Sequence, residues 1–499
     1  MKARSRMIAV GLFAAGLFIV FATMASVATA AYKHAGDAEN DATVFLNVYP
    51  DAAGTKLDNC ALCHGGGAYT DSKGKTTIMG SCQYCHAITN YGALPDQYGA
   101  TLNVFGKDFQ DKGRNEAALY AIEALDSDGD GYANLAEITA VRYPGLATDD
   151  PTKVAAPSII FDKAQLEAMP QHSQFMIMNT TKSGDYYVEY SGVVMANLLK
   201  KAGIRADATK ITVYAPDGFA ITHPIADSPA NLGLSYAPYV NGLYPRARYY
   251  YDTVADKANG GWCDYTSPGT LGRIHGAPIQ VAGGLRMILA LRAEGKDLVP
   301  GYLDETNRIA SGTEGPFRTV TPQKLLGPPD QPSTNSNPAL IWPYNPNGDH
   351  NAGFSSKCAT IIKVEPLPEG TTDIDVLEAG WNYVDTGKIV IYGDIDPRQN
   401  IIDKLSALAA VVKAADADSF RHPAQRNALA LRINKVRSLV SKRQYDAGLS
   451  QLEAQILPTV ENCSQTGTRG AGDWVTDCDL QQNLLWSLQE IVTLLEIVA

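Results

Sequence analysis

Cys60-Ala61-Leu62-Cys63-His64 and Cys82-Gln83-Tyr84-Cys85-His86 are two copies of one motif, in which histidine directly follows the second of two closely spaced cysteines. This spacing lets both thiols form thioethers with one haem while the adjacent imidazole coordinates the iron. The sequence therefore predicts two covalently bound haem c groups in a small, mostly α-helical domain. The alternative, a pair of zinc-binding knuckles, needs Cys and His ligands at matching offsets and does not usually place His at this position.

The predicted proximal iron ligands are His64 and His86, one in each motif. Spacing does not fix the sixth ligands. The local candidates are His34 and Met79, the only other histidine and the only methionine of residues 31–155. His34 could equally be a solvated residue near the N-terminus. Met79 is too close to the second motif to reach over that haem easily, but it could serve the first haem instead. A methionine ligand would raise the reduction potential relative to a second histidine.

Residues 126–137 read Asp-Ser-Asp-Gly-Asp-Gly-Tyr-Ala-Asn-Leu-Ala-Glu and match the twelve-residue calcium loop of EF-hands position by position. The helical periodicity of residues 115–125 predicts the helix that precedes the loop in an EF-hand. We predict a calcium ion with a structural role, and the alternative is an acidic turn that binds no metal. The predicted ligands are Asp126, Asp128, Asp130, the carbonyl of Tyr132, Asn134 and a bidentate Glu137.

Residues 1–30 have the plan of a secretory signal peptide. Lys2, Arg4 and Arg6 precede an uncharged apolar run, and Ala28-Thr29-Ala30 offers small residues for cleavage. We expect export to the periplasm or the extracellular space, with no stable membrane span after cleavage. An uncleaved anchor helix is the alternative, because the run approaches the roughly 18–20 residues that span a bilayer.

The length of the chain predicts three or so domains. Residues 31–155 form the dihaem cytochrome domain with the EF-hand-like loop, and residues 156–330 show the strand and helix patterns of an α+β domain. Residues 331–395 are predicted to be an irregular extension, and residues 396–499 a helical bundle, because apolar residues recur at three- and four-residue intervals. The net charge of −11 argues against nucleic acid as a partner.

Four cysteines lie outside the haem motifs, and an even number in an oxidising compartment predicts two disulfides. Cys463 and Cys478 are near neighbours and predict a local bridge between helices. Cys263 and Cys358 would then pair by elimination, although one of them could instead be a metal ligand.

Within the α+β region, the pattern predicts strands over residues 174–178 and 210–214 and a helix over residues 193–202. Ser191 is the expected cap of this helix and Gly203 its expected end.

Residues 190–219 and Ile274-His275-Gly276-Ala277-Pro278-Ile279 resemble the molybdopterin-binding domain of the sulfite oxidase superfamily, over roughly residues 158–325. The resemblance implies molybdopterin as a cofactor. The family's metal ligand is a cysteine in an early loop, however, and the matching residues 178–184 contain none. Cys263 is the nearest substitute, and we expect the domain to serve as a binding or docking module.

Thr313-Glu314-Gly315-Pro316-Phe317-Arg318 is similar to the Gly-Glu-Gly-Pro signature of a group of exported dihaem proteins, with Thr313 in place of the first glycine. The group joins two Cys-x-x-Cys-His motifs to this same domain, which implies a redox role without naming a substrate. His223, His275 and His350 are candidate ligands or catalytic groups, but isolated histidines are more often packed or surface residues.

Three functions follow as hypotheses. The first is an exported dihaem c-type cytochrome that relays electrons between extracytoplasmic redox partner proteins. The second is a molybdopterin-dependent oxidoreductase that uses the two haems as electron acceptors. The third is a surface structural or adhesive protein in which the haems are secondary.

Overall fold

The computed structural model describes residues 38–498 apart from the gaps 54, 59–60, 71–73, 75, 79–98, 182, 217–218, 228–237, 245–246, 252–262, 303–308, 326, 331–349, 375–379 and 461–471. Residues 1–30, predicted to be a signal peptide, lie outside this part of the chain. Within the described residues, no helix is both long enough and apolar enough to cross a bilayer. Helices and strands are numbered below in chain order.

The described residues of the N-terminal region are mainly helical. Its helices are α1 (Ala38–Val48), α2 (Ala61–His64), α3 (Val104–Asp111), α4 (Glu116–Ile122) and α5 (Asn134–Thr139), and its one described hairpin pairs β1 (Ala68–Thr70) with β2 (Thr76–Ile78). The side chains of Asn103 and Asn115 cap α3 and α4 by accepting from backbone amides. One apolar cluster, which includes Leu62, Phe105 and Leu119, packs the helices together.

The described residues of the central region form two large sheets. The first has the order β11-β10-β6-β5, with β12 paired to β10 and β9 paired to β6. Its strands are β5 (Gln171–Met178), β6 (Asp185–Val194), β9 (Cys263–Asp264), β10 (Ile288–Ala293), β11 (Lys296–Asp297) and β12 (Arg318–Val320). The second has the order β4-β15-β13-β7-β8. Its strands are β4 (Ser158–Asp162), β7 (Lys210–Tyr214), β8 (Ala220–Pro224), β13 (Ile361–Glu365) and β15 (Lys388–Gly393).

One hydrophobic core joins the two sheets. It contains Leu289 of the first sheet, Val213 and Ile362 of the second, and Leu198 of helix α7 (Met195–Ala202). Two shorter helices, α6 (Lys163–Glu167) and α8 (Gly380–Asp385), complete the region. Burial of these apolar side chains on facing surfaces is what holds an α+β domain together.

The expected irregular extension, the expected start of the helix and its expected cap Ser191 need correction. Residues 331–395 are not simply irregular, because they supply β13, β15 and the short strand β14 (Thr371–Thr372), which pairs in parallel with β3 (Val154–Ala155). Helix α7 begins at Met195, since β6 continues to Val194 and places Ser191 inside a strand. Gly203 does end the helix, with a positive φ of 88° that suits glycine. The strands predicted over residues 174–178 and 210–214 are confirmed.

The described residues from 398 to 496 are mainly helical. They form α9 (Arg398–Ala414), α10 (Pro423–Ser441), α11 (Tyr445–Gln455) and α12 (Cys478–Glu496). A second apolar cluster, which includes Leu405, Val436 and Leu488, fills the space between the helices. Cys478 is disulfide-bonded as predicted, and its predicted partner Cys463 lies outside the described residues.

Cys263 and Cys358 are not joined in the disulfide that elimination suggested. Cys263 lies in β9, where its backbone pairs with Asp185 of β6. Cys358 lies in a loop, and its thiol contacts the carbonyl of Thr313 at 3.8 Å. The two buried thiols therefore belong to different packing environments, which the count of cysteines does not reveal.

His223 makes the stability of the central region dependent on pH. The residue is 0% exposed in β8, and burial lowers the pKa of its imidazole to about 4, only partly offset by the backbone of Pro238. As pH falls from 6.5 to 4, His223 becomes protonated in the unfolded chain but stays neutral in the native protein. The native state therefore loses stability over this pH range. We expect the free energy of unfolding to fall by about 3 kcal/mol over this range. Urea unfolding at a series of pH values should show that the variant His223→Leu lacks this loss.

The matched control is the exposed His422, which occupies the N-cap position of α10. Asparagine is favoured at that position, so His422→Asn should leave the loss of stability at acidic pH unchanged. If His223→Leu lost as much stability at acidic pH as the wild type, His223 would not be the source of the pH dependence.

Candidate haem and calcium sites

Helix α2 (Ala61–His64) is the part of the first haem motif that the structure describes. Its apolar face is fixed by Ala61 and Leu62, which are 2% and 4% exposed. The backbone of Gly65 closes the turn by donating to the carbonyl of Ala61 at 2.7 Å. Cys63 and His64 therefore lie on one helical turn that burial and a backbone hydrogen bond hold in place.

The imidazole of His64 is oriented by Thr101. The Thr101 hydroxyl lies 2.9 Å from Nδ1 of His64, and Thr101 is 0% exposed. A histidine that binds iron through Nε2 carries its proton on Nδ1, and the second hydrogen bond fixes the tautomer and the ring plane. The residues present therefore fit a haem iron, with Nε2 of His64 as its ligand and Thr101 Oγ1 as the acceptor for Nδ1–H.

Close packing surrounds Cys63. A Cβ at Gly106 would lie 2.5 Å from the Cys63 carbonyl, so only glycine allows α3 to approach this closely. Desolvation raises the pKa of the Cys63 thiol to about 12, an effect increased by Asp41 and opposed by Arg114. A thiol that is neutral at pH 7 is not the thiolate that redox-active cysteines require. These facts favour a structural or covalently modified Cys63 over a catalytic one.

Replacing Thr101 by valine tests this orientation. Valine keeps the shape but removes the acceptor, which lowers the basicity of the coordinating imidazole and weakens its preference for ferric iron. We expect the reduction potential of one haem to rise by on the order of 40 mV, the equivalent of about 1 kcal/mol for one electron. Spectroelectrochemical titration measures this shift.

A matched control is Thr459→Val, because Thr459 is a buried threonine of the bundle whose hydroxyl donates to the carbonyl of Ile456. Its titration curve should overlay that of the wild type. Equal shifts in both variants would show that Thr101 acts only through packing.

The other haem residues lie outside the described part of the chain. This applies to Cys60 of the first motif, to the whole of the second motif and to both candidate sixth ligands, namely Cys60, Cys82, Cys85, His86, His34 and Met79. Both haems and all of their axial ligands accordingly stay predictions.

The acidic loop brings its first three aspartates together. One carboxylate oxygen from each of Asp126, Asp128 and Asp130 lies within 4.8 Å of the others. Asp126 also accepts hydrogen bonds from the backbone amides of Gly129, Asp130 and Gly131 at 2.8–3.1 Å. Gly131 has a positive φ of 100°, which the tight turn of a calcium loop requires.

Glu137 supplies the second, independent indication of a cation. It is 0% exposed, and within the described residues neither of its carboxylate oxygens has a hydrogen-bond partner, nor do Asp128 Oδ2 and Asp130 Oδ2. Desolvation, followed by repulsion from the neighbouring acids, raises the pKa of Glu137 to about 9. Desolvation and Asp130 likewise raise the pKa of Asp128 to about 6.

Buried carboxylate oxygens without a hydrogen-bond partner destabilise the folded state unless a cation or a proton neutralises their charge. An all-oxygen donor set with one buried glutamate suits the flexible coordination of calcium better than it suits a zinc site, which prefers nitrogen and sulfur. The residues of the loop therefore fit Ca²⁺, with Asp126, Asp128, Asp130 and Glu137 as carboxylate donors.

Asn134 has a different role from the one predicted. Its side-chain amide donates to the carbonyl of Ile122 at 2.8 Å and to Ser127 Oγ at 2.9 Å, and its oxygen accepts from the Ser127 amide at 3.2 Å. These bonds hold the two ends of the loop together and leave the side chain committed to the protein. Tyr132 passes beside the acids, with its amide donating to Asp130, and its carbonyl stays the predicted ligand.

The central region does not supply the donor that a molybdenum centre needs. The loop after β5 holds Asn179 and Thr180, both engaged with the protein backbone, where the resembled family has a thiolate. Cys263 is instead packed in an apolar cluster with Tyr187 and Tyr249. The described residues therefore do not fit the metal site of that family.

The signature residues form a buried polar network whose role sequence reasoning left open. Arg318 is 1% exposed, and its Nη1 donates to the hydroxyls of Tyr190 at 2.6 Å and Tyr186 at 3.1 Å and to Glu314. Burial by itself would raise the pKa of Glu314, but Arg318 and Lys357 hold it below its ordinary value. Glu314 and Arg318 thus connect β12 to β6. In the sequence, the only indication of this ion pair was the spacing of four residues between the two opposite charges.

The remaining candidate histidines have ordinary environments. His275 is exposed, and its Nδ1 accepts from the Tyr251 amide at 3.0 Å. His350 is buried with Nε2 3.3 Å from Asp330. The structure does not bring His223, His275 and His350 together as a metal-binding group.

Comparisons of the chain with protein-family models, with curated proteins and with solved structures give no match. The site geometry and the motifs therefore carry the functional argument.

Proposed function

We propose that this chain is an exported dihaem c-type cytochrome that relays electrons between extracytoplasmic redox partner proteins. The observation that carries the proposal is the 2.9 Å contact between Thr101 and Nδ1 of His64 at the end of a Cys-x-x-Cys-His motif. If Thr101 accepts from Nδ1–H, the opposite nitrogen, Nε2, carries the lone pair that would coordinate iron, as in proximal histidines.

The bound haem would supply a one-electron redox centre, and the chain's own residues would control its environment. Thr101 would hold the Nδ1 proton of His64 and so tune the ligand. The buried side chains of Leu57, Leu62 and Phe105 belong to the same apolar cluster. Such a low-dielectric surrounding disfavours a change of net charge and thus influences the potential.

Two haem motifs within residues 60–86 favour a relay over two isolated centres. The short connection limits the separation of the two cofactors, so that electrons can pass between them before reaching a partner. The calcium ion is proposed to act as a structural pin for the loop that precedes the central region. The central region is proposed to serve as a docking or ligand-binding module, because its loops lack the thiolate of a molybdenum enzyme.

The test combines cofactor analysis with a redox titration. Protein produced in cells that attach haem c should contain two haems per chain, change its visible spectrum reversibly on reduction, and contain no stoichiometric molybdenum. Absence of covalent haem would overturn the proposal. Two haems accompanied by one molybdenum per chain would instead establish the molybdopterin-dependent oxidoreductase.

A further inference from the structure

Residues 142–149, called here the coupling segment, begin beside one of the proposed calcium ligands. The amide of Arg142 donates to the carbonyl of Glu137 at 2.7 Å. Both carboxylate oxygens of Glu137 are buried without a hydrogen-bond partner among the described residues. The position of the first residue of the segment therefore depends on an acid that a bound cation would hold.

The same segment packs against the first haem-binding helix. A Cβ at Gly66 would lie 2.9 Å from Cδ1 of Leu146, so Leu146 touches the turn that directly follows His64. A Cβ at Gly145 would lie 2.6 Å from the side chain of Asn103. Asn103 in turn donates to the carbonyls of Leu62 and Gly65 at 2.9 and 3.0 Å. Both contacts end on helix α2 or on its final turn.

Asp149 anchors the far end of the segment. Its carboxylate forms a buried ion pair with Lys56 at 2.6 Å and accepts from the Tyr143 amide at 3.0 Å. It also accepts from Thr372 Oγ1, in β14, at 2.5 Å. Lys56 precedes the first haem motif by only a few residues, so one carboxylate connects that motif with the central region. A segment fixed at both ends transmits a displacement better than a free loop.

We propose that the coupling segment transmits calcium occupancy to the first haem site, with Leu146 and Asn103 as positioning residues for helix α2 and His64. This inference rests on the proposed haem and calcium sites. A cation bound by Glu137 would fix the Glu137 backbone and, through its carbonyl, the amide of Arg142. The segment that begins at Arg142 would then hold Leu146 against Gly66, in the turn that follows His64. Without the cation, the buried carboxylate of Glu137 has no partner to hold it, and both the loop and the turn after His64 would be less firmly placed.

Thermodynamic linkage gives a test that needs no variant. If calcium changes the potential of a haem, the calcium affinity must differ between the oxidised and reduced protein by the same free energy. We expect the dissociation constants of the holoprotein for Ca²⁺ to differ by at least about fivefold between the two redox states, as measured by titration with a calcium-indicator dye. Equal constants would overturn the inference.

The variant Leu146→Ala locates the coupling. It removes the contact with Gly66 but none of the carboxylates, so we expect calcium still to bind with a stoichiometry of one, while the ratio of the two constants falls toward one. Leu431→Ala, which truncates a leucine of the bundle that is 71% exposed, is the control and should keep the wild-type ratio. A wild-type ratio in Leu146→Ala would contradict the assigned route.

The failures of the different proposals are distinguishable. A protein without covalent haem would overturn the electron relay. A protein with two haems that binds no calcium would overturn the coupling and leave the relay intact. A protein that binds both, with equal calcium affinity in both redox states, would overturn the coupling alone.

Discussion

Replacing Cys60 and Cys63 together by alanine is expected to halve the covalently bound haem, from two groups per chain to one. Each motif can attach a haem only through its own two thiols, and His64 alone gives a coordinate bond that denaturation breaks. Intact-protein mass spectrometry in denaturant and absorbance of the denatured haem measure the change. The corresponding replacement of Cys82 and Cys85 should have the same stoichiometric effect on the other haem.

Cys358→Ala is the matched control, because Cys358 is also buried but lies in the central region with its thiol near the Thr313 carbonyl. This variant should retain both haems. Two haems in the Cys60 and Cys63 double variant, or zinc in place of haem in the wild type, would contradict the haem assignment.

Glu137→Gln is expected to abolish most of the stabilisation that calcium provides. A ligand present at a hundred times its dissociation constant stabilises the native state by about 2.7 kcal/mol, and the bidentate glutamate is the ligand that closes such a loop. Burial raises the pKa of Glu137 to about 9, so the carboxyl of the metal-free protein is largely neutral at pH 7. The glutamine variant should therefore unfold like the metal-free wild type, whether or not calcium is added.

Thermal unfolding with calcium and with chelator measures this difference. The control is Asp111→Asn, which removes one exposed carboxylate from the end of α3, outside the loop. It should keep the calcium-dependent stabilisation almost in full. A calcium response in Glu137→Gln equal to that of the wild type would show that Glu137 is no ligand.

Patterns that depend on neighbours in the chain were predictable. The bundle helices, the strands over residues 174–178 and 210–214, and the end of α7 at Gly203 all follow from apolar periodicity and from glycine's tolerance of positive φ. The acid cluster was predictable for the same reason, because the spacing within residues 126–137 alone brings Asp126, Asp128 and Asp130 together.

Contacts between distant residues were not predictable. The sequence showed no reason why residues 361–365 and 388–393 should be strands of the central sheet, because their pairing with residues 210–214 and 158–162 depends on the register of the whole domain. The partnership of Thr101 with His64 spans 37 residues. The commitment of Asn134 to Ser127 and Ile122 likewise depends on how the loop closes.

By itself, the sequence determined which donor groups the candidate sites contain: thiols and an imidazole at the spacing expected for haem, and carboxylates at the spacing expected for calcium. Those properties reside in short segments, whose residue types and offsets suffice to specify them. Only the tertiary structure decided that Nδ1 of His64 lies against Thr101, that Cys263 and Cys358 are not joined in a disulfide, and that Asp149 joins three parts of the chain. Burial and hydrogen-bond partners are set by packing over long sequence separations, and no local pattern encodes them.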